Sequence, residues 1–331
     1  MADSGDTLAK RFKDAAEKYP TNIAQLGKDE NEEFIPTTFR DMYDSVIQLA
    51  SLLDNLGVSR GDHVGLISDN RTEWLISDLA LLCLGAVDVP RGSDSTADEL
   101  VYILDHADCK ISFVENDAQI EKILSEKANL PQLELLISFE PHDVKSSDGV
   151  KILCLSDMLE DAILSPEAVD HIEKEIEKGT PEELVTIIYT SGTTGEPKGV
   201  MLNNRNYTFQ LERIYDHIHI TSGSRYLSVL PAWHSFERVV DYVIINIGAT
   251  IAYSKPIGPI LKADMLKVRP QWTAAVPRLW EGIRAGVYRN VHEAGGAKKI
   301  LFNFFVAVGS AYSKLRNRAF GMAPKSRKPI W

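Results

Sequence analysis

Residues 184–202, LVTIIYTSGTTGEPKGVML, carry the side chains best suited to chemistry. Residues 184–189 form a short apolar run rich in β-branched side chains, which predicts a buried strand. Residues 190–199 follow with three glycines and four hydroxyl side chains, so tight backbone, hydroxyls and N–H groups can surround an anion. Lys198 adds a positive charge suited to phosphate. This pattern predicts a phosphate-binding loop at the end of a strand.

Two other interpretations of this loop are weaker. No G-x-x-x-x-G-K-[ST] pattern fits it, so it is not a Walker loop. A flexible linker rich in Gly, Ser and Thr needs neither an apolar strand before it nor the lysine that follows Pro197.

The segment YTSGTTGEPKG, residues 189–199, resembles the signature loop of the adenylate-forming synthetases, which include acyl-CoA synthetases and luciferases. The resemblance implies that this loop grips the β- and γ-phosphates of ATP. It also implies that Lys198 neutralises the departing pyrophosphate and that Thr190 helps to hold Mg²⁺. The residues assigned to nucleotide binding are Thr190, Ser191, Gly192, Thr193, Thr194, Gly195 and Lys198.

A second candidate site, LPAWHSFE at residues 230–237, follows another predicted strand. Ligands of α/β sheets gather where strands end, so these residues are placed to contact a substrate. From the residues alone, Trp233 and Phe236 can equally be core, and a metal bound by His234 and Glu237 lacks a third ligand. The resemblance implies that His234 orients the fatty acid and the acyl-adenylate and that Trp233 lines the acyl tunnel.

The elements that position these sites alternate along the chain. Strand-like runs at residues 86–90 and 110–115 alternate with helical patterns at 38–56, 70–84 and 97–106, which predicts βαβ units and a parallel sheet. A further strand is expected at residues 244–253, and a helix at 203–215 with its positive N-terminus close to the phosphate loop.

The resemblance implies an α/β fold with stacked parallel-sheet layers, as in the N-terminal domain of an adenylate-forming enzyme. We expect a first α/β subdomain at about 40–180 and the start of a second, with a helical insertion, at about 181–331. The family's later motifs, Tyr-Gly-x-Thr-Glu and Thr-Gly-Asp, do not occur, and no lid domain follows. The chain is therefore expected to be an N-terminal fragment, incomplete at its C-terminus and unable to turn over alone.

Composition limits the class of protein. The chain has 331 residues with 44% hydrophobic and 25% charged side chains, as in globular proteins, and a net charge of −11 that disfavours nucleic acid as a partner. The N-terminus lacks the apolar core of a signal peptide, and three separated cysteines suit a reducing compartment. We expect a cytoplasmic protein.

The tract VPRLWEGIRAGVYRNV, with the helical pattern that follows it, is similar to the long-chain fatty acyl-CoA synthetase branch. That similarity implies ATP, Mg²⁺ and coenzyme A as cofactors or co-substrates, a long-chain fatty acid as substrate, and a homodimer as one assembly. Other lipophilic acids stay open as substrates. A non-catalytic nucleotide-binding or scaffold protein is the alternative of a different class.

Residues 294–331 hold eight basic side chains and no acidic one. An amphipathic basic helix of this kind can lie on an anionic membrane, so residues 298–328 are a candidate for peripheral contact with the inner face of a membrane. The alternative is a helix that packs on the body of the protein with its basic side in water.

Overall fold

The computed structural model describes residues 5–146, 149–190, 197–214 and 217–319, without the side chains of Asp161 and Ala319. The chain divides into two compact units, Met1–Ala274 and Ala275–Trp331. The strands are β1 (Ile23–Lys28), β2 (Phe34–Thr38), β3 (His63–Ile67), β4 (Val87–Arg91), β5 (Ile111–Val114), β6 (Leu135–Ser138), β7 (Lys151–Cys154), β8 (Leu184–Thr190), β9 (Lys198–Asn203), β10 (Arg225–Ser228) and β11 (Thr250–Tyr253).

The helices account for most of the remaining chain. They are α1 (Leu8–Lys18), α2 (Phe39–Asn55), α3 (Thr72–Leu84), α4 (Ala97–His106), α5 (Asp117–Leu124), α6 (Leu155–Asp161), α7 (Pro166–Lys178), α8 (Asn204–Ile214), α9 (Ser235–Ile247), α10 (Gly258–Val268), α11 (Pro277–Ala294) and α12 (Gly296–Ala319). A short 3₁₀ turn occupies Lys127–Asn129.

The described residues of the first unit form two sheets. One has seven strands in the order β7-β6-β5-β3-β4-β8-β9, and the other has four in the order β10-β11-β1-β2. The first six strands of the larger sheet are parallel, and β9 turns back antiparallel to β8. Parallel strands joined by helices confirm the predicted α/β fold class.

Helices α3 and α9 lie between the two sheets. α3 contacts β4 of the larger sheet and β1 of the smaller one. α9 contacts β10 and β11 and sends Arg238 to Asp88 of β4. Both helices bury polar residues as well as apolar ones, among them Asp78 of α3 and Arg238 of α9.

Local sequence signals explain several element boundaries. Thr38 and Asp41 form the predicted capping box at the start of α2. α9 ends at Gly248, whose φ is 75° and where an added Cβ would lie 2.3 Å from the Tyr19 ring. The left-handed backbone and the close approach of Tyr19 both require glycine there.

The strand expected at residues 244–253 is wrong in its first half. Residues 244–247 complete α9, and β11 begins only at Thr250. The run IINI is rich in β-branched residues, which favours a strand by propensity, but its burial between two sheets suits an apolar helix equally well.

In the described part of the second unit, helices α11 and α12 contact each other. The ring centroids of Tyr288 and Phe302 are 5.3 Å apart and the rings meet edge to face. Of the helices that the structure describes, none is both long enough and apolar enough to cross a membrane.

Candidate functional site

The phosphate-loop candidate joins the two strands of a hairpin at the edge of the larger sheet. Thr190 ends β8 and Lys198 begins β9, and the two residues are paired across the hairpin. Both are exposed, so the hydroxyl and the ammonium group are accessible at the same end of the sheet. Thr190 and Lys198 therefore lie beside each other at the carboxyl end of β8.

The residues between them are outside the described part of the chain. These are the five predicted phosphate ligands Ser191, Gly192, Thr193, Thr194 and Gly195, together with Glu196. Their roles stay predictions.

Helix α4 holds both ends of this loop. The Tyr102 hydroxyl donates a hydrogen bond to the carbonyl of Pro197 (3.2 Å), and His106 Nδ1 shares a hydrogen bond with the Tyr189 hydroxyl (2.7 Å). The rings of Tyr102 and His106 stack with their centroids 5.5 Å apart. The chain is thus anchored immediately before and after the residues that would contact phosphate.

The helix after the loop does not point its N-terminus at the phosphate site, contrary to our expectation. Because β9 is antiparallel to β8, it carries the chain away, and Asn203 pairs with Leu184 at the opposite end of β8. A strand of this length spans about 17 Å. At the N-terminus of α8, Asn204 Oδ1 instead accepts a hydrogen bond from the backbone N–H of Leu8.

The second candidate segment lies against the ends of the same sheet. The Asn70 amide, which follows β3, donates to the carbonyl of Leu230 (2.6 Å) and accepts from the backbone N–H of Ala232 (2.7 Å). These two bonds fix the backbone just before Trp233 and His234. His234 then occupies the N-cap position of α9.

Arg91, at the end of β4, connects the two candidate segments. Its guanidinium lies 5.0 Å from the centroid of the Trp233 ring and donates to the carbonyl of Tyr189 (3.3 Å), the residue before Thr190. A Cβ at Gly92 would lie 2.6 Å from Trp233 Nε1, so glycine makes room for the indole. Trp233 and the start of the phosphate loop are therefore held by one side chain.

His234 has its ring 3.9 Å from that of Trp233, measured between centroids. Burial lowers the pKa of His234, the Arg91 charge lowers it further, and Asp94 opposes both effects. The imidazole is therefore uncharged at neutral pH, and it can donate a hydrogen bond to a carboxylate but does not supply a full positive charge.

A cavity of about 1000 Å³ opens beside these residues. This volume is at the upper end of the roughly 300–1,000 Å³ usual for small-molecule sites. Its polar lining residues are Thr190, Arg205, Asn206, Gln210, Ser235 and Thr273. Its largely apolar lining includes Ile188, Tyr207, Phe236, Val239, Val240 and Trp272. Trp233 is not among the described lining residues, so its predicted place in an acyl tunnel stays a prediction.

A buried charge cluster fixes α9 beneath the cavity. Arg238 is fully buried and pairs with Asp78 of α3 and with Asp88 of β4 (2.7 Å to Asp88). Its guanidinium also donates to Thr186 of β8 (3.0 Å). The helix that carries His234 and the cavity wall is thereby tied to the strand that ends in the phosphate loop.

Glu237, on the same helix, is a buried acid with a strongly shifted pKa. The Tyr226 hydroxyl donates to Glu237 Oε1 (2.9 Å), but burial is the larger effect and raises the pKa of Glu237 from 4.5 to about 7. The folded state therefore binds a proton that the unfolded state has already lost between these two pH values.

We expect stability to fall as pH rises through this window. The free energy of unfolding should decrease by about 3 kcal/mol between about pH 4.5 and pH 7 from Glu237 alone, since each pKa unit is worth about 1.4 kcal/mol. Asp78, whose pKa is raised to about 6, adds to the same trend. Urea unfolding measured across this pH range gives the change in the free energy of unfolding with pH. This change should be smaller for Glu237→Gln than for the parent, whereas the exposed Glu134→Gln should match the parent. If the free energy of unfolding of Glu237→Gln changes with pH as it does in the parent, Glu237 is ionised in the folded protein.

Sequence reasoning missed three of the positioning residues, namely Asn70, Arg91 and Tyr102. Asn70 and Arg91 do stand at strand ends, which is a usable signal. Tyr102 lies within α4, and nothing in its local pattern indicates a bond to a loop 95 residues further on.

The site is therefore an apolar cavity beside an anchored, hydroxyl-rich loop at the carboxyl ends of parallel strands, as in nucleotide-binding α/β proteins. Residues 12–328 match the model of the family described as AMP-binding enzyme. The chain belongs to this family.

Curated relatives are similar in sequence to this protein over most of the chain. A long-chain-fatty-acid–[acyl-carrier-protein] ligase from Arabidopsis thaliana is 28% identical over 96% of this chain and 44% of its own length. Fatty acyl-CoA synthetase A from Dictyostelium discoideum is 30% identical over 86% of this chain and 41% of its own length. The chain thus spans less than half the length of these relatives.

Solved structures share the fold. A long-chain-fatty-acid-CoA ligase from Archaeoglobus fulgidus superposes with a TM-score of 0.70 at 21% identity, covering 86% of this chain and 54% of the ligase. The N-terminal domain of FACL13 from Mycobacterium tuberculosis superposes with a TM-score of 0.68 at 21% identity, covering 84% of this chain and 65% of that domain.

Proposed function

We propose that this chain supplies the polyphosphate-binding and acyl-binding parts of an enzyme that uses ATP to activate a long-chain fatty acid. The observation that carries the proposal is the position of Thr190. It ends the strand before the phosphate loop and also lines the large apolar cavity. A carboxylate whose alkyl chain fills that cavity would meet the nucleotide phosphates at Thr190.

Each predicted site residue has a task in this proposal. Lys198 and the loop after Thr190 bind the β- and γ-phosphates, and the ammonium group balances charge on the departing pyrophosphate. The uncharged imidazole of His234 orients the carboxylate through a hydrogen bond. The oxygen of the carboxylate then attacks the α-phosphorus, and an acyl-adenylate and pyrophosphate result.

Magnesium fits the donor set that is present. Serine and threonine hydroxyls contact Mg²⁺ beside nucleotide phosphates in P-loop proteins, so the exposed hydroxyl of Thr190 would hold the ion together with phosphate oxygens and water. Within the described residues, no group of three or more His, Cys, Asp or Glu side chains could hold a metal ion by itself. The ion would neutralise phosphate charge.

The second half-reaction, transfer of the acyl group to the thiol of coenzyme A, is proposed from the names of the relatives. The adenine and ribose contacts, the acidic metal ligand and the catalytic lysine that the family resemblance implies are not assigned in this chain. We therefore propose that the chain alone does not sustain adenylation, which ATP–pyrophosphate exchange with palmitate would test. Robust exchange would contradict this part of the proposal.

Palmitate binding tests the acyl site directly. Val240 is partly buried on α9 and lines the cavity, so Val240→Trp should fill the space an alkyl chain needs and weaken palmitate binding by about 10-fold or more. Ile163→Trp, at a site that is 95% exposed and is not among the residues that line the cavity, is the matched control and should leave binding unchanged. Equilibrium dialysis with radiolabelled palmitate measures both.

The result that would overturn the acyl site is equal palmitate affinity in Val240→Trp and the parent. Complete absence of palmitate binding in the parent, with ATP binding retained, would favour a nucleotide-binding protein without this activity.

A further inference from the structure

The guanidinium group of Arg91 lies beside the start of the phosphate loop. Asp88 of β4 pairs with Thr186 of the parallel strand β8. Three residues further along each strand, Arg91 donates to the carbonyl of Tyr189 (3.3 Å). The next residue of β8 is Thr190, where the loop begins. A full positive charge therefore lies next to the place proposed for the polyphosphate.

The same guanidinium also faces the segment proposed to orient the fatty acid. It lies 5.0 Å from the centroid of the Trp233 ring, and that ring is 3.9 Å from the ring of His234, measured between centroids. Burial lowers the pKa of His234, and the charge of Arg91 lowers it further, against the opposing effect of Asp94. The charge of Arg91 thus acts on both candidate segments.

The Arg91 side chain is held in place by its own hydrogen bonds and is only 17% exposed. Its Nε donates to Ser95 Oγ (3.1 Å), and Nη2 pairs with Glu99 of α4. Together with the bond to Tyr189, these contacts use three of the five N–H donors of a guanidinium. A charge fixed in this way stabilises nearby anions without reorganisation.

We propose that the charge of Arg91 allows a fatty carboxylate and a polyphosphate to occupy the site at the same time. This inference rests on the proposed function, in which the two anions meet at Thr190. Two anions at close range repel each other, and partial burial strengthens the repulsion. A cation fixed between the loop and the Trp233 segment offsets it. Arg91 acts here through its charge and need not contact either ligand.

Palmitate affinity, measured with and without saturating inorganic tripolyphosphate, tests the inference on the whole chain. Equilibrium dialysis with radiolabelled palmitate at constant ionic strength gives the ratio of the two dissociation constants. In the parent, tripolyphosphate should weaken palmitate binding by about 3-fold or less, whereas in Arg91→Met it should weaken it by about 10-fold or more. By linkage, palmitate should weaken tripolyphosphate binding by the same factor in each protein.

Control variants separate the charge of Arg91 from its structural contacts. Arg91→Lys keeps the charge but not the guanidinium contacts, so its ratio should stay close to that of the parent. Arg91→Gln is neutral but can still donate a hydrogen bond, and it should resemble Arg91→Met. Arg60→Met removes a charge that pairs with Glu183, just before the opposite end of β8, and should match the parent. Each ratio compares two affinities of one protein, so a general loss of stability cancels.

Two kinds of result would overturn the inference. One is an equal ratio in the parent, Arg91→Met and Arg91→Gln, or an Arg91→Lys variant that behaves like Arg91→Met, since either result removes the role of the charge. The other is a parent that fails to bind palmitate or tripolyphosphate even when each is supplied alone. That result contradicts the proposed function itself, and the inference fails with it.

Discussion

Arg238→Met is expected to lower the free energy of unfolding by about 3–5 kcal/mol, because it leaves two buried carboxylates without their cation. Asp78 and Asp88 are each 1% exposed, and Arg238 is the side chain that pairs with both. Methionine keeps most of the volume, so the loss is electrostatic and not due to a cavity. Chemical denaturation at neutral pH measures the difference.

Control variants test whether the loss of stability arises because the ion pairs are buried or would follow from the loss of any ion pair. Arg205→Met removes an ion pair to Glu182 whose partners are 60% and 64% exposed, and it should cost less than about 1 kcal/mol. Adding Asp78→Asn and Asp88→Asn to Arg238→Met should recover much of the loss, since the uncompensated charges are then gone. Equal effects of Arg238→Met and Arg205→Met would contradict the role of the buried cluster.

Lys198→Ala is expected to weaken binding of MgATP by about 10- to 100-fold, since a hydrogen bond to a charged group contributes about 1.5–3 kcal/mol. Lys198 is exposed and at the start of an edge strand, so its truncation should leave the stability of the fold unchanged. Calorimetric titration of MgATP and, separately, of inorganic tripolyphosphate measures the effect. Because tripolyphosphate has no adenosine, a parallel loss for both ligands locates Lys198 at the phosphates.

Lys262→Ala provides the control for the loss of one positive charge, as Lys262 is exposed on α10. Its affinity for both ligands should equal that of the parent. If Lys262→Ala and Lys198→Ala weaken binding equally, the effect reflects the net charge of the protein and the loop is not the binding site.

Local patterns were sufficient where one segment determines its own structure. The capping box at Thr38 and the apolar strand before Thr190 follow from short-range chemistry, and both are present. β1 and β2 were missed because their apolar alternation is weak. Gln25 is fully buried in β1, and Pro36 lies in β2, where an edge strand tolerates it.

The N-terminal part of α9 was missed for a related reason. Glu237 and Arg238 sit on its buried side and interrupt the apolar periodicity of a helix. Their presence there makes sense only with Asp78, Asp88 and Tyr226, of which the two aspartates are 150 or more positions away in sequence. Such burial depends on tertiary pairing, which a single sequence does not display.

The candidate site was predictable in its chemistry but not in its arrangement. Hydroxyl and lysine side chains at a strand end indicated phosphate, and Thr190 and Lys198 do lie together. Because β9 is antiparallel to β8, the N-terminus of α8 does not lie at the phosphate loop as expected. Arg91 contacts both Tyr189 and Trp233, which are more than 40 positions apart in the sequence. Sheet topology decides both features.

A crystal structure of the chain with MgATP tests the central claim most directly. We predict that the β- and γ-phosphates lie between Thr190 and Lys198, at the carboxyl end of β8 and at the mouth of the apolar cavity. Nucleotide bound elsewhere on the chain, with the hairpin between β8 and β9 unoccupied at saturating MgATP, would contradict the account.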